Sequence, residues 1–132
     1  MLLVDTNVLV DVLQNDPQWA EWSIAQLRAQ AQLHQLVINP VVYAELSLSF
    51  STIEALDRVL AMMEVTMHEV PRPALFLAGK AYLLYRRRGG GKAQVLPDFF
   101  IGAHAAVEGW PLLTRDASRF RTYFPSLEVV AS

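Results

Sequence analysis

Short runs of consecutive apolar residues, each feeding into a helix-start signal, constrain this chain more than any other feature. Met1-Leu2-Leu3-Val4 ends at Asp5-Thr6-Asn7, and Leu36-Val37-Ile38 ends at Asn39-Pro40. Residues 65–70 precede Pro73, Pro111-Leu112-Leu113 precedes Asp116, and a last run covers 127–130. Strands that are apolar without alternation belong to a sheet covered on both faces, which is the habit of parallel sheets. The intervening stretches read as helices over 8–13, from Pro17 to about 35, over 41–49, and from 51 or 52 to 62 or 63. Further helices are expected from Pro73 to Tyr85, closed by Arg86-Arg87-Arg88, from Pro97 to Glu108 with Gly109 as the stop, and over 116–123. Gly89-Gly90-Gly91 breaks the chain into a loop reaching Leu96. There is no internal repeat. The pattern predicts an α/β sandwich around a parallel sheet.

Composition narrows the class further. With 53% hydrophobic and 18% charged residues, the 132-residue chain has enough apolar surface to fold, and its length suits one domain over 1–132. The apolar stretch over 41–50 contains Glu45 and several serines, short of the ~18 uninterrupted apolar residues of a membrane span. No cysteine is present and the N-terminus lacks a basic leader, so a soluble, cytoplasmic protein is expected.

A parallel sheet predicts its own binding edge, because ligands collect beyond the carboxyl ends of the strands where strand order reverses. The residues there are acids. Asp5 follows the first strand and Asp116 the fourth; Glu45 lies one turn into the helix after the second strand, and Asp98 in the first turn of its helix. Plainer roles exist for three of them: Asp5 and Asp116 as helix caps, Asp98 as a partner of a helix dipole. Glu45 shares its helix face with Val41, Val42 and Leu48, and Asp98 with Ile101, Gly102 and Ala105, so both face protein rather than water. No Lys or Arg between residues 36 and 57 lies near Glu45 in sequence. Four converging carboxylates repel one another unless a divalent cation joins them, and all-oxygen ligands suit Mg²⁺ or Mn²⁺. Phosphoryl transfer is the matching chemistry.

Four segments in order, Leu3-Val4-Asp5-Thr6-Asn7, Asn39-Pro40-Val41-Val42-Tyr43-Ala44-Glu45-Leu46, Pro97 to Ala105 around Asp98, and Leu113-Thr114-Arg115-Asp116 with Phe120, make the chain resemble the PIN-domain family. It is most similar to the VapC-type ribonuclease toxins of prokaryotic toxin–antitoxin pairs. The resemblance implies a PIN-like three-layer α/β/α sandwich and Mg²⁺- or Mn²⁺-dependent RNA cleavage without use of the 2′-hydroxyl. It implies that Asp5, Glu45, Asp98 and Asp116 are the metal-holding acids, with Thr6, Asn7 and Thr114 orienting them. Some relatives carry a further acid after the fourth; residues 117–127 here contain none, which leaves a second metal site in doubt.

The net charge of −2 becomes +2 once those four acids are set aside, and seven of the eleven basic residues fall in two clusters, Arg86, Arg87, Arg88 and Lys92, and Arg115, Arg119 and Arg121. Either the Arg86 run simply solvates a helix end or these residues contact RNA phosphates beside the acids, the latter extending to Lys92, Arg115 and Arg119. Trp19, Trp22 and the helix from Ala74 to Tyr85 carry more apolar surface than one face needs, which is either core packing or a homodimer and antitoxin surface. His104, six positions past Asp98, points away from it; His34 and His68 look incidental, and Asp11 is expected to face solvent. Two other readings remain open: a PIN-like domain that binds RNA or a partner without cutting, and a phosphatase or phosphotransfer domain. The second lacks both an Asp-x-Asp nucleophile and a glycine-rich phosphate loop.

Overall fold

The computed structural model describes residues 1–91 and 95–132, so Lys92 lies outside the described residues. Five strands, β1 (Leu2–Val4), β2 (Leu36–Ile38), β3 (Thr66–Met67), β4 (Leu112–Leu113) and β5 (Val129–Val130), form one sheet in the order β3-β2-β1-β4-β5, and every pairing is parallel. The helices are α1 (Thr6–Leu13), α2 (Ala20–Ala31), α3 (Pro40–Ser47), α4 (Ile53–Met62), α5 (Arg72–Arg87), α6 (Leu96–Glu108) and α7 (Ser118–Tyr123). From β1 the chain steps through β2 to β3 in one direction, then returns past β1 to β4 and β5 in the other. Right-handed crossovers therefore send α1 to α4 to one face and α5 to α7 to the opposite one, giving three layers. β1, β2 and β4 are fully covered, as parallel strands between helical layers must be. The reversal between β1 and β4 is the switch point of the sheet, and it fixes where the site lies.

Several boundaries differ from the sequence reading for local reasons. The carboxylate of Asp16 accepts from the N–H groups of Gln18 and Trp19, both at 2.9 Å, holding residues 17–19 as a turn, so the helix expected from Pro17 starts at Ala20 and stops at Ala31. The strand expected over 65–70 shrinks to two exposed residues at the sheet edge, where it has one neighbour. α3 ends at Ser47, which leaves Leu48 88% exposed instead of on the inner face with Glu45; Val42 and Leu46 are the buried pair. At Gly102 an aromatic ring approaches the helix: a Cβ there would meet the Phe124 ring at 2.5 Å and Phe120 at 3.0 Å. Gly109 ends α6 in the left-handed conformation at φ 72°, which other residues adopt at a cost.

Candidate active site

Asp5 leaves β1 directly at the switch point. Its backbone N–H binds the Leu113 carbonyl of β4 at 2.9 Å, while its side chain caps α1 by accepting from Thr6 N–H at 2.7 Å. Its second oxygen accepts from the Thr114 hydroxyl at 2.8 Å. Capping and cavity roles thus coincide in one carboxylate. Thr6, one residue on, donates its hydroxyl to Glu45 Oε1 at 2.6 Å and so ties α1 to α3. α3 is itself set by Asn39, whose Oδ1 accepts from Val42 N–H at 3.0 Å with Pro40 opening the helix. Asn7 reaches across to the Thr114 hydroxyl and accepts from Arg115 N–H, both at 3.4 Å. Asp116 caps the approach to α7, accepting from the N–H and hydroxyl of Ser118 at 3.2 Å.

These residues line one cavity of about 330 Å³, walled by Asp5, Thr6, Asn7, Glu45, Asp98 and Asp116, with Val10, Arg115, Arg119 and Phe120 completing it. The electrostatics are those of a crowded acid cluster. Burial, and then the charge of Asp98, push the Asp5 carboxyl up from 3.8 to about 7, against the hydrogen bonds from Thr114 and Thr6 that favour ionisation. Burial likewise raises Glu45, opposed by the Thr6 hydroxyl. Asp98 is raised by burial and held back by Arg119, whose Nη1 sits 2.7 Å from Asp98 Oδ2.

The profile of the PIN domain matches residues 2–124. The chain belongs to the PIN domain family. No curated protein matches it in sequence. Among solved structures, this PIN domain is similar to a chain of VapBC2 from Rickettsia felis, bound to a DNA fragment from its promoter, with a TM-score of 0.74 at 19% identity over 99% of this chain and 98% of that one. A chain of FitAcB from Neisseria gonorrhoeae aligns with a TM-score of 0.67 at 21% identity, covering 98% and 96%. A toxin–antitoxin complex from Klebsiella pneumoniae gives 0.61 at 22%, also over 98% and 96%. Likeness at this identity speaks for the fold alone.

The fit of a divalent cation to this PIN domain follows from its donor set. Every candidate ligand lining the cavity is an oxygen, and no His among the described residues lines it, as Mg²⁺ or Mn²⁺ prefer. Among the described residues no three acids or histidines gather around one point. Mg²⁺ keeps several waters and needs only one or two carboxylates, so the donor set fits.

The basic residues separate. Arg115 and Arg119 stand on the cavity wall. Arg86 and Arg87 instead line a separate groove on α5 with Gly79, Tyr82 and Leu83, and Arg88 lies over the Tyr123 ring at 5.6 Å. Tyr85, which precedes them on α5, lies 5.9 Å under the guanidinium of Arg119. His104 is fully buried against Trp110, with Nδ1 3.3 Å from the Asn39 amide and burial lowering its pKa; it packs behind α3 and does not face the acids. His68 meets the same Trp110 ring edge-on.

Asp11 overturns its expectation: it is 2% exposed, not solvent-facing, and pairs with Arg115 and Ser23. The signal was present, since Asp11 stands four residues after Asn7 and three after Val8 on a helix apolar on nearly every side. Trp19, whose ring lies under Arg115, was likewise missed because it precedes its helix.

Proposed function

We propose that this PIN domain is a divalent-metal-dependent endoribonuclease, the toxin of a VapBC-type pair, formed by residues 1–132 as one domain. The observation that carries this reading is the gathering of Asp5, Glu45, Asp98 and Asp116 around one cavity at the switch point of the sheet. Asp5, Glu45, Asp98 and Asp116 would hold Mg²⁺ or Mn²⁺. When bound, such an ion lowers the pKa of water and offsets charge building on a phosphodiester.

The chain's own groups do the rest. Thr114 and Thr6 N–H fix both oxygens of Asp5, and the Thr6 hydroxyl fixes Glu45, so neither carboxylate has to reorganise. Arg119 holds one oxygen of Asp98 at 2.7 Å, so a cation bound there would compete with it. Arg115 and Arg119 on the rim supply cations for RNA phosphates.

An antitoxin partner is supported by the similarity to VapBC and toxin–antitoxin structures, together with apolar surface left uncovered: a groove lined by Val12, Ile24, Leu27, Met62 and Met63, and exposed Leu75, Phe76 and Leu83 on α5. The α5 surface is also what a homodimer would use. No described helix is long and apolar enough to cross a membrane.

Incubating the purified protein with mixed RNAs in Mn²⁺, Mg²⁺ or EDTA tests the reading. Internal cleavage with metal and none with EDTA is expected. RNA bound but never cut would favour a non-catalytic domain; phosphate released from small monoesters without RNA cleavage would favour a phosphatase.

A further inference from the structure

Asp11 has no place in the acid cavity, yet it is among the most deeply buried charged residues described. It lies on α1 behind the cavity wall. Its Oδ2 accepts from the hydroxyl of Ser23, fully buried on α2, at 3.1 Å, and stands 3.2 Å from Arg115 Nε. A carboxylate so deeply withdrawn from water is retained only with a partner, and Arg115 is that partner.

Arg115 is itself fixed from several sides. Its backbone N–H donates to Asn7 Oδ1, its carbonyl accepts from the Ser132 hydroxyl at 2.9 Å, and its guanidinium lies 5.6 Å over the Trp19 ring. The Nε atom is buried and off-axis for a hydrogen bond to Asp11, while a third of the side chain is exposed along the cavity. The terminal nitrogens donate no hydrogen bond among the described residues, so this cavity-lining side chain keeps unused the fork of donors that matches phosphate oxygens.

The contrast with Arg119 gives Asp11 its meaning. Arg119, whose guanidinium lies 5.9 Å over the Tyr85 ring and has one ion pair among the described residues, closes directly on Asp98. Arg115 sits between Thr114, which orients Asp5, and Asp116, and a free guanidinium there would turn onto those carboxylates in the same way. Asp11 draws it back.

We propose that Asp11 is a positioning residue for RNA cleavage: from behind the cavity it fixes Arg115, over Trp19, as the contact for a phosphate of the bound strand and keeps it off the acids. This rests on the nuclease reading and assigns that site one more residue.

The test compares wild type, Asp11→Asn, Arg115→Gln and the double variant, with KM and kcat on an RNA oligonucleotide in Mn²⁺ and RNA affinity as a function of salt. All are assayed below their melting temperatures. Asp11→Asn and Arg115→Gln should each raise KM about tenfold, the scale of one charged hydrogen bond, while kcat moves far less. Each should lower the slope of log K against log salt by about 0.7, and the double variant should be no worse than Arg115→Gln alone.

Should Asp11→Asn prove poorly folded, Arg115→Lys keeps the charge without the planar fork that matches phosphate oxygens and should reproduce the KM increase. Effects that add in the double variant, or a lower melting temperature with unchanged KM and salt slope, would make Asp11 a packing staple and overturn the proposal. A wild type that cuts no RNA sinks the nuclease reading and this proposal together. One that cuts normally while Arg115→Gln leaves KM unchanged sinks the proposal alone.

Discussion

Replacing Asp5 by Asn should stabilise the metal-free protein at neutral and alkaline pH, and the gain should vanish in acid. The fold holds this carboxyl at about 7 against an ordinary 3.8, chiefly through burial and the charge of Asp98. A raised folded-state value means that the folded protein binds the proton more tightly than the unfolded chain. Its contribution is therefore fully present below pH ~4 and is lost as pH rises through about 7. Three units at about 1.4 kcal/mol each give a loss of about 4 kcal/mol between pH 4 and pH 8. Asn keeps the shape, accepts from Thr6 N–H and offers its amide to the Thr114 oxygen, yet never ionises. At roughly 3–5 °C per kcal/mol for a domain of this size, Asp5→Asn should melt about 10 °C or more above wild type at pH 8 in EDTA, and close to it at pH 4. Thermal melts by circular dichroism at half-unit pH steps read this directly. A difference independent of pH, or one that grows towards acid, would refute the placement of Asp5 in a buried acid cluster.

Other perturbations follow from the same geometry. Asp98→Asn should stabilise the metal-free protein less than Asp5→Asn, because Asp98 already has Arg119 as a counter-charge; parallel melts compare them. Arg119→Gln should tighten Mn²⁺ binding in calorimetric titrations, since it frees the Asp98 oxygen it now holds; a weaker or unchanged affinity would mean the pair does not compete with metal. Gly102→Ala should cost about 1–3 kcal/mol in urea unfolding, because the new methyl overlaps the Phe124 ring. Thr114→Val removes a hydrogen bond that favours ionised Asp5, so the pH at which metal first stabilises the protein should move upward in melts with Mn²⁺.

Much of this was readable in the sequence because the informative signals are local. Leu2-Leu3-Val4 and Leu36-Val37-Ile38 are apolar without alternation, which announces covered parallel strands, and Asn39-Pro40 and Gly109 mark helix ends by backbone chemistry. The acids after β1 and β4 could be placed on one edge from strand polarity alone. What escaped depends on contacts far apart in the chain. The pair between Asp11 and Arg115 joins α1 to the loop after β4, and no spacing rule links them. The same holds for Arg119, whose turn towards Asp98 depends on where α7 packs against α6. Charge alone does not say where the arginines at the end of α5 lie: Arg86 and Arg87 line a separate groove and Arg88 lies over Tyr123.

On the proposed reading, RNA cleavage by this PIN domain requires divalent metal held by Asp5, Glu45, Asp98 and Asp116. Titrating Mn²⁺ into EDTA-stripped protein, while following binding heat and RNA cleavage rate in matched samples, tests it most directly. The two curves should share a midpoint and both should collapse in Glu45→Gln. RNA cleavage that persists at full rate without metal, or Mn²⁺ binding that saturates with no cleavage of any RNA offered, would contradict it.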